Sequence, residues 1–205
     1  VHEVTFVDDR PAIVYERVEG PTMLSLLGSG RRELRRNARR LASVQASVHA
    51  TTPSGVPSVR ERLGRRIREV PALTPDARRR VLAALEALPD GGSLCHGDFH
   101  PGNVLLTDAG PVVVDWLDAG RGHPAADAAR TSLLLRFGGQ RDGELDSGSR
   151  HEFHRRYLRM YRRLTSVPPE RVRRWELPVA AARLAEGVPE APQLRSLVES
   201  RLADP

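Results

Sequence analysis

The sequence contains no lysine, a single cysteine and few aromatic residues, and it has no long apolar run. A lone Cys95 excludes an intrachain disulfide and the usual multi-cysteine zinc sites, which fits a reducing compartment. No apolar segment approaches the roughly 20 residues that a membrane-spanning helix requires. Residues 1–4 have neither the basic region nor the apolar core of a secretory signal. These absences predict a cytoplasmic protein without a membrane partner.

Because lysine is absent, all 32 basic residues are arginine, and the formal net charge is +6. The densest basic run, residues 31–40, is a candidate nucleic-acid surface, which would bind with an affinity that falls steeply with added salt. Apolar residues recur at helical spacing in and after this run, which places the arginines on a solvated helix face; these residues are Leu34, Ala38, Leu41, Val44 and Val48. We therefore expect no nucleic-acid partner.

The first 20 residues differ in pattern from the remainder of the chain. Residues 1–7 and 12–18 are rich in β-branched residues, and the intervening Asp8, Asp9, Arg10 and Pro11 predict a β-hairpin with a four-residue turn. Gly20 and Pro21 end the strand pattern and open a mainly helical region. A chain of 205 residues can bury a sizeable core, as one large domain or two small ones.

Helices and short strands alternate along residues 21–205. Thr74 is a predicted N-cap with Pro75 at the first helical position. A later helix is expected to place Phe153, Tyr157, Met160 and Leu164 on one face. The predicted helices are residues 34–50, 60–69, 74–88, 125–136, the segment around 153–164, a segment kinked at Pro178, and 194–202; the predicted strands are 94–96, 104–107 and 111–115. Residues 138–148 are predicted to form a polar loop.

Three polar residues around the short strands carry the chemistry. Asn103 follows Asp98 by five positions, and Asp115 follows Asn103 after the predicted strand pair 104–107 and 111–115. This arrangement brings two carboxylates and one amide oxygen to the same rim, and such oxygens suit Mg²⁺. Phosphoryl transfer requires metal ions, a positioned hydroxyl group and a carboxylate that accepts its proton. Turn chemistry alone explains each residue singly but not the whole arrangement.

The motif His96-Gly-Asp98-x-x-x-x-Asn103, followed by Val-Val-Val-Asp115-Trp, resembles the aminoglycoside phosphotransferase and choline kinase families, which are relatives of the protein kinases. The resemblance implies an α+β, mainly α, protein-kinase-like fold. It implies a phosphotransferase that moves the γ-phosphate of ATP to a hydroxyl group of a small polar molecule. Asp98 would be the catalytic base, and Asn103 and Asp115 would hold Mg²⁺.

The resemblance extends in both directions from this motif. Residues 15–20 are similar to the linker between the lobes of these kinases, where Glu16 and Val18 would meet the adenine of ATP. Downstream, residues 122–127 are similar to the segment whose aspartate, here Asp127, braces the catalytic loop. His96 would be a supporting, hydrogen-bonded residue. Two further candidates, His100 and Asp118, lie beside the expected site as possible substrate contacts.

A complete kinase of this kind carries a phosphate-covering loop and a strand lysine before the hairpin, and neither can be placed in this sequence. The resemblance therefore divides the chain into residues 1–20, a remnant of the small N-terminal lobe, and residues 21–205, the helical C-terminal lobe with the catalytic loop and metal site. We expect residues upstream of Val1 to supply the missing parts, and this chain alone to bind ATP weakly and transfer phosphate slowly. The alternative is a nucleotide-binding pseudokinase.

Two other hypotheses concern ligands. His96, Asp98 and His100, with Asp115 and His123 nearby, would form the metal site of a hydrolase if the segment were a strand, but Gly97 and the following Pro-Gly indicate a loop. The identity of the acceptor and the oligomeric state do not follow from the sequence. The acidic residues of the polar loop, Asp142, Glu144 and Asp146, are interpreted as solvated rather than as a site for a cationic acceptor.

Overall fold

The computed structural model describes residues 2–138 and 145–203. Within these ranges, the helices are α1 (Arg31–His49), α2 (Val59–Glu69), α3 (Pro75–Glu86), α4 (Pro124–Phe137), α5 (Ser147–Thr165), α6 (Pro169–Arg183) and α7 (Ala191–Ala203). The strands are β1 (Glu3–Val7), β2 (Arg10–Val14), β3 (Ser93–Cys95), β4 (Val104–Thr107), β5 (Gly110–Val113) and β6 (Gly120–Gly122). The architecture is mainly helical with three two-stranded sheets, of order β1-β2, β3-β6 and β4-β5.

The first hairpin, β1-β2, is present, but its predicted four-residue turn is wrong. Val7 pairs with Arg10, so only Asp8 and Asp9 form the turn. Both have a positive φ, 49° and 60°, which is the left-handed conformation that a two-residue type I′ turn requires and that aspartate tolerates. The second strand ends at Val14 rather than at residue 18.

The segment after the hairpin attaches to the strand β4. Residues 15–19 have no regular structure. The carbonyl of Pro21 then accepts a hydrogen bond of 2.9 Å from the Leu106 N–H, and the Met23 N–H donates to Val104 O at 2.7 Å. The Met23 side chain is fully buried. The linker is therefore held against β4, the strand that directly follows Asn103.

The helices pack around one apolar core, in which α1 lies against α5 and α4 against α6. On α5, Phe153 and Tyr157 are buried as predicted, but Tyr161 is buried in place of Met160, which is only partly covered. Leu164 lies in the last turn of α5 and is 48% exposed. The tyrosine is buried because its hydroxyl group has a hydrogen-bonding partner on α1.

On α1, the predicted apolar face is correct at its start and incomplete at its end. Val44 and Val48 are only half-buried, whereas Gln45 and His49 are buried. Hydrophobic periodicity could not place these two polar residues on the buried face, because it selects apolar residues. The arginines of residues 31–40 lie exposed or half-buried on the other side of the helix, as the spacing predicts.

Local signals fixed several element boundaries correctly. The Thr74 side chain accepts a 3.2 Å hydrogen bond from the Ala77 N–H, which confirms the predicted N-cap of α3. Pro178 lies inside α6, which remains one helix to Arg183. The predicted strand 104–107 is confirmed as β4.

The predicted polar loop at residues 138–148 is shorter than expected at its C-terminal end. The helix α5 begins at Ser147, and the Asp146 carboxylate caps it by accepting a 3.0 Å hydrogen bond from the Ser149 N–H. Asp142 and Glu144 lie outside the described residues. No helix in the described part of the chain is both long and apolar enough to cross a lipid bilayer.

Strand β6 was not predicted. It consists of Gly120, Arg121 and Gly122 and pairs antiparallel with β3, immediately before the His96 motif. A Cβ on Gly122 would lie 2.8 Å from Cβ of Val59, and one on Gly120 would lie 2.7 Å from Pro57 O. Close packing against the start of α2 therefore requires glycine in this strand, although glycine is normally a poor strand residue.

Candidate active site

The loop from His96 to Asn103, here called the catalytic loop, begins at the end of β3. Gly97 has a φ of +85°, and a Cβ at this position would lie 2.1 Å from the carbonyl oxygen of Asp118. Both the backbone conformation and the space therefore require glycine. The loop passes tightly against the segment after β5, which brings Asp98 and Asp118 to the same cavity.

His96 uses both ring nitrogens within the protein. Its Nδ1 accepts a hydrogen bond of 3.2 Å from the Asp98 N–H, and its Nε2 lies 2.9 Å from Val114 O. The ring is completely buried and lies 4.7 Å, centroid to centroid, from Trp116. An acceptor at Nδ1 and a donor at Nε2 describe a neutral imidazole. His96 thus orients the catalytic loop relative to β5 and has no nitrogen left to bind a metal.

Asp127, in the first turn of α4, receives the backbone of the catalytic loop. Its Oδ1 accepts a hydrogen bond of 2.7 Å from the Gly97 N–H, and its Oδ2 accepts one of 3.2 Å from the His96 N–H. Burial opposes ionisation of this carboxyl group, but hydrogen bonds from His49, Gln45 and Gly97 outweigh it and lower its pKa to about 2. The charged carboxylate fixes two consecutive N–H groups beside Asp98.

Behind Asp127 lies a buried polar network that the sequence did not predict. Gln45 Nε2 and His49 Nε2 each lie 3.0 Å from Asp127 Oδ2, and His49 Nδ1 lies 2.6 Å from the Tyr161 hydroxyl. The Tyr157 hydroxyl donates to Gln45 Oε1. The i, i+4 spacing of Gln45 and His49 on α1 is the signal that indicates a shared face. This network joins α1 and α5 to the brace of the catalytic loop.

Asp98 is the carboxylate of the catalytic loop that reaches the cavity, with 30% of its side chain exposed. The Arg130 guanidinium donates a hydrogen bond of 3.0 Å to Asp98 Oδ1, and His100 Nε2 lies 3.6 Å from Asp98 Oδ2. Burial alone would raise the pKa of Asp98, but His100 and the positive charge of Arg130 outweigh it and hold that pKa well below its ordinary value. Asp98 is therefore ionised at neutral pH.

Glu186 connects this carboxylate to the cavity wall. It accepts hydrogen bonds from Arg66 at 3.0 Å, from Arg130 at 2.6 and 2.9 Å, and from Arg183 at 2.8 Å. The second nitrogen of Arg66 lies 2.9 and 3.2 Å from the two carboxylate oxygens of Asp118. We call Glu186 with these three arginines the Glu186 cluster. Its members were missed by sequence reasoning, because they come from α2, α4, α6 and the turn after α6.

Asn103 and Asp115 lie at the two ends of the β4-β5 hairpin. Asn103 Nδ2 donates a hydrogen bond of 2.9 Å to the Asp98 carbonyl, and the Asn103 carbonyl accepts one of 3.0 Å from the Val114 N–H. The amide nitrogen is thus engaged within the catalytic loop. Asp115 is exposed and has a φ of +63°, a left-handed conformation that is uncommon for residues other than glycine but that aspartate tolerates.

The hydrolase hypothesis has no support in this geometry. No group of three His, Cys, Asp or Glu side chains that could hold a metal ion occurs within residues 2–138 and 145–203. Besides His96, His123 is engaged as the N-cap of α4, where its Nδ1 accepts 3.0 Å from the Ala125 N–H. His100 Nδ1 likewise accepts 3.0 Å from the Gly102 N–H. Each of these three histidines therefore has its Nδ1 engaged by a backbone N–H group.

Glu16 and Val18, the residues predicted to meet adenine, lie on the irregular linker after β2. Glu16 is exposed and Val18 is half-buried. Neither lines the cavity beside Asp98. The structure thus separates these two residues from the cavity beside Asp98, while the hydrogen bonds of Pro21 and Met23 attach the following segment to β4.

A cavity of about 700 Å³ opens beside Asp98. Its charged wall includes Asp98, Asp118 and the Glu186 cluster, and its apolar wall comes from the segment after the linker, the end of α4 and the start of α5. The volume lies within the range of sites that bind drug-sized ligands. His100 and Asp118, both predicted as possible substrate contacts, line this cavity.

The chain is similar to known phosphotransferases in sequence and in structure. The sequence of this chain matches the model of a protein family, described as the phosphotransferase enzyme family, over residues 6–173. The structure of a type VIII aminoglycoside-3′-phosphotransferase is similar with a TM-score of 0.54 and 25% identity, over 82% of this chain and 67% of that chain. No curated protein gives a significant match.

Two further solved structures are similar at lower identity. A thermostable mutant of an aminoglycoside phosphotransferase, in a ternary complex with ADP and hygromycin B, gives a TM-score of 0.63 and 17% identity, over 92% of this chain and 71% of that chain. The structure of a glucosamine kinase is similar with a TM-score of 0.52 and 20% identity, over 89% of this chain and 56% of that chain. The chain thus spans little more than half of that kinase. The predicted kinase-like, mainly helical fold is confirmed.

Proposed function

Because the chain belongs to the phosphotransferase enzyme family, we propose that it acts as an ATP-dependent kinase that transfers the γ-phosphate to a hydroxyl group of a small molecule. One observation carries the proposal. An ionised Asp98 faces a cavity of about 700 Å³ and is bonded through its backbone to Asn103, at the base of the hairpin that leads to Asp115. A carboxylate, an amide oxygen and a second carboxylate in this order are the parts that phosphoryl transfer uses.

In the proposed reaction, the acceptor hydroxyl lies in the cavity against Asp98. The hydroxyl oxygen forms a bond to the γ-phosphorus, the bond between that phosphorus and the bridging oxygen of ADP breaks, and Asp98 takes the hydroxyl proton. The low pKa of Asp98 makes it a weak base. It therefore accepts the proton late, when the hydroxyl oxygen has begun to bond to phosphorus and has become acidic.

Asn103 and Asp115 are the proposed Mg²⁺ ligands. Their oxygens are hard donors of the type that Mg²⁺ prefers, and the engaged Nδ2 of Asn103 leaves its oxygen for this role. When bound, the ion neutralises charge on the phosphates. His96 and Asp127 act as positioning residues, because they hold the backbone on both sides of Gly97.

We further propose that residues 1–20 belong to the small lobe and residues 21–205 to the helical lobe. The hairpin β1-β2 pairs with no other strand among the described residues, and its connection to β4 supports a hinge there. In this arrangement the backbone near Glu16 and Val18 would meet adenine. The ADP in the similar aminoglycoside phosphotransferase complex supports a nucleotide cofactor.

Formation of ADP and of a phosphorylated product tests the proposal. It is measured with Mg²⁺, ATP and a panel of hydroxyl compounds on the protein extended upstream of Val1, because the chain alone is expected to transfer phosphate slowly. Asp98→Asn should lower turnover by about a hundredfold or more, because a positioned proton acceptor contributes at least this much. Asp76→Asn is the matched control, since Asp76 pairs with Arg79 on the exposed surface of α3. Wild-type turnover in the Asp98 variant would refute the mechanism, and nucleotide binding without any product would favour a pseudokinase.

A further inference from the structure

Among the described residues, the charged side chains that line the cavity beside Asp98 are balanced in number. Four carboxylates and four arginines of residues 2–138 and 145–203 line it; they are Asp98, Asp118, Glu186, Glu190, Arg66, Arg130, Arg150 and Arg183. A site for a polycation would present carboxylates that are free to pair with ammonium groups. The charge state of this cavity therefore depends on whether its carboxylates already have partners.

Each of the four carboxylates contacts at least one guanidinium group. Arg130 bonds to Asp98 at 3.0 Å, and Arg66 bonds to both oxygens of Asp118. Glu186 accepts hydrogen bonds from three arginines, and Glu190 accepts one of 3.0 Å from Arg183 Nε. An ammonium group entering the cavity would lose its water and meet carboxylates whose charge is already neutralised. The free energy that the ammonium group loses with its water is therefore not recovered by a new ion pair in the cavity.

Most of the remaining described wall is apolar. It includes Leu24, Leu27, Leu134, Leu135, Phe137 and Phe153. A sugar-sized molecule would occupy only part of about 700 Å³ and would leave this apolar wall in contact with water. An acceptor that carries hydroxyl groups at one end and an apolar portion at the other matches both walls.

We propose that the acceptor is an uncharged hydroxyl compound with an apolar portion, and that Arg66 determines this preference by neutralising Asp118 and sharing Glu186. The inference rests on the proposed function, because it takes the cavity as the acceptor site. Arg66 is suited to this role, since one guanidinium bridges two carboxylates that belong to different segments of the cavity wall. Its side chain is 26% exposed, so the bridge borders the cavity rather than the core.

Binding of matched probes, measured by calorimetry without ATP, tests this proposal. The probes are octyl β-glucoside below its micelle concentration, its 2-amino-2-deoxy counterpart at slightly acid pH, and octyl β-glucuronide. Wild-type protein should bind the uncharged glucoside most tightly. Arg66→Gln should improve the ammonium probe relative to the glucoside by about fivefold, the value of one partly exposed ion pair.

Three variants make the result specific. Arg79→Gln removes the same charge from an exposed pair on α3, away from the cavity, and should leave the ratio unchanged. Asp118→Asn should shift the binding preference in the opposite direction, toward the glucuronide. This variant tests the proposal if the Arg66 variant does not fold. Leu24→Trp should abolish binding of every probe, because Leu24 lines the cavity and is 38% exposed.

The proposal is overturned if wild-type protein binds the ammonium probe as tightly as the glucoside, if no probe binds, or if Arg66→Gln and Arg79→Gln change the ratio equally. None of these results depends on phosphate transfer. A protein that ranks the probes as expected but forms no ADP with any acceptor would refute the proposed function and leave the binding preference standing.

Discussion

Replacement of Asp127 tests whether a charged brace holds the catalytic loop. The carboxylate accepts four hydrogen bonds, from the N–H groups of Gly97 and His96 and from the side chains of Gln45 and His49. An asparagine has one acceptor oxygen, and its NH₂ group would face donors on the other side. Asp127→Asn therefore loses about two bonds to a charged group and gains a donor–donor conflict, which should cost about 4 kcal/mol of unfolding free energy.

The same variant should change the dependence of stability on pH. The pKa of Asp127 is lowered to about 2 because hydrogen bonds, His49 first, outweigh the opposing effect of burial. A carboxyl group with a depressed pKa stabilises the fold fully above its unfolded pKa of about 4, and this contribution is lost as the pH falls through about 2. At about 1.4 kcal/mol per pH unit, this lowered pKa corresponds to roughly 2 to 3 kcal/mol. The gap between wild type and Asp127→Asn should therefore shrink by most of this amount between about pH 5 and pH 2.

Urea unfolding followed by tryptophan fluorescence, at a series of pH values, measures both effects. Asp98 also has a lowered pKa, but the Asp127 variant retains it, so the difference between the two proteins isolates Asp127. Asp76→Asn, at an exposed ion pair, should change stability by less than about 1 kcal/mol. A difference between wild type and Asp127→Asn that stays constant from pH 5 to pH 2 would contradict the assignment of a charged, hydrogen-bonded brace.

Three further variants or probes address other parts of the site. Gly97→Ala should lower phosphotransfer at least tenfold and destabilise the fold by about 2 kcal/mol, since its φ is +85° and a Cβ would lie 2.1 Å from Asp118 O; Gly28→Ala, with open space around it, should be nearly neutral in both assays. Asp115→Asn should raise the Mg²⁺ concentration for half-maximal activity by about tenfold or more, measured by titration, whereas an unchanged requirement would exclude Asp115 as a ligand. Burial raises the pKa of the Cys95 thiol, so iodoacetamide should label it only after denaturation, and rapid labelling of native protein would contradict its buried position.

The features that sequence reasoning predicted correctly depend on neighbouring residues. The β4 strand and the N-cap at Thr74 follow from short-range pattern and hydrogen bonding within a few residues. The spacing of Asp98, Asn103 and Asp115 also lies within one short segment, so these residues could be proposed as a site before any tertiary contact was known, and their roles stay predictions. The turn at Asp8 and Asp9 was wrong by two residues, because the composition of a turn does not fix its register.

The features that were missed depend on partners far apart in the chain. Gln45 is buried because Asp127, 82 residues later, accepts its hydrogen bond. Arg66 and Glu186 are 120 residues apart, and either residue alone has the pattern of a solvated helix surface. Strand β6 was missed because glycine has low strand propensity, whereas the proximity of Val59 to Gly122 requires glycine at this position.

The catalytic loop therefore obtains its shape from outside its own motif. The loop contains Asp98, but the carboxylate of Asp127 holds its backbone and the carbonyl of Asp118 limits it to glycine at position 97. Arg130 then fixes the Asp98 side chain from the same helix that carries Asp127, one turn later. Since α4 carries both Asp127 and Arg130, the position of the proposed base depends on this helix, whereas the motif specifies only which atoms are available there.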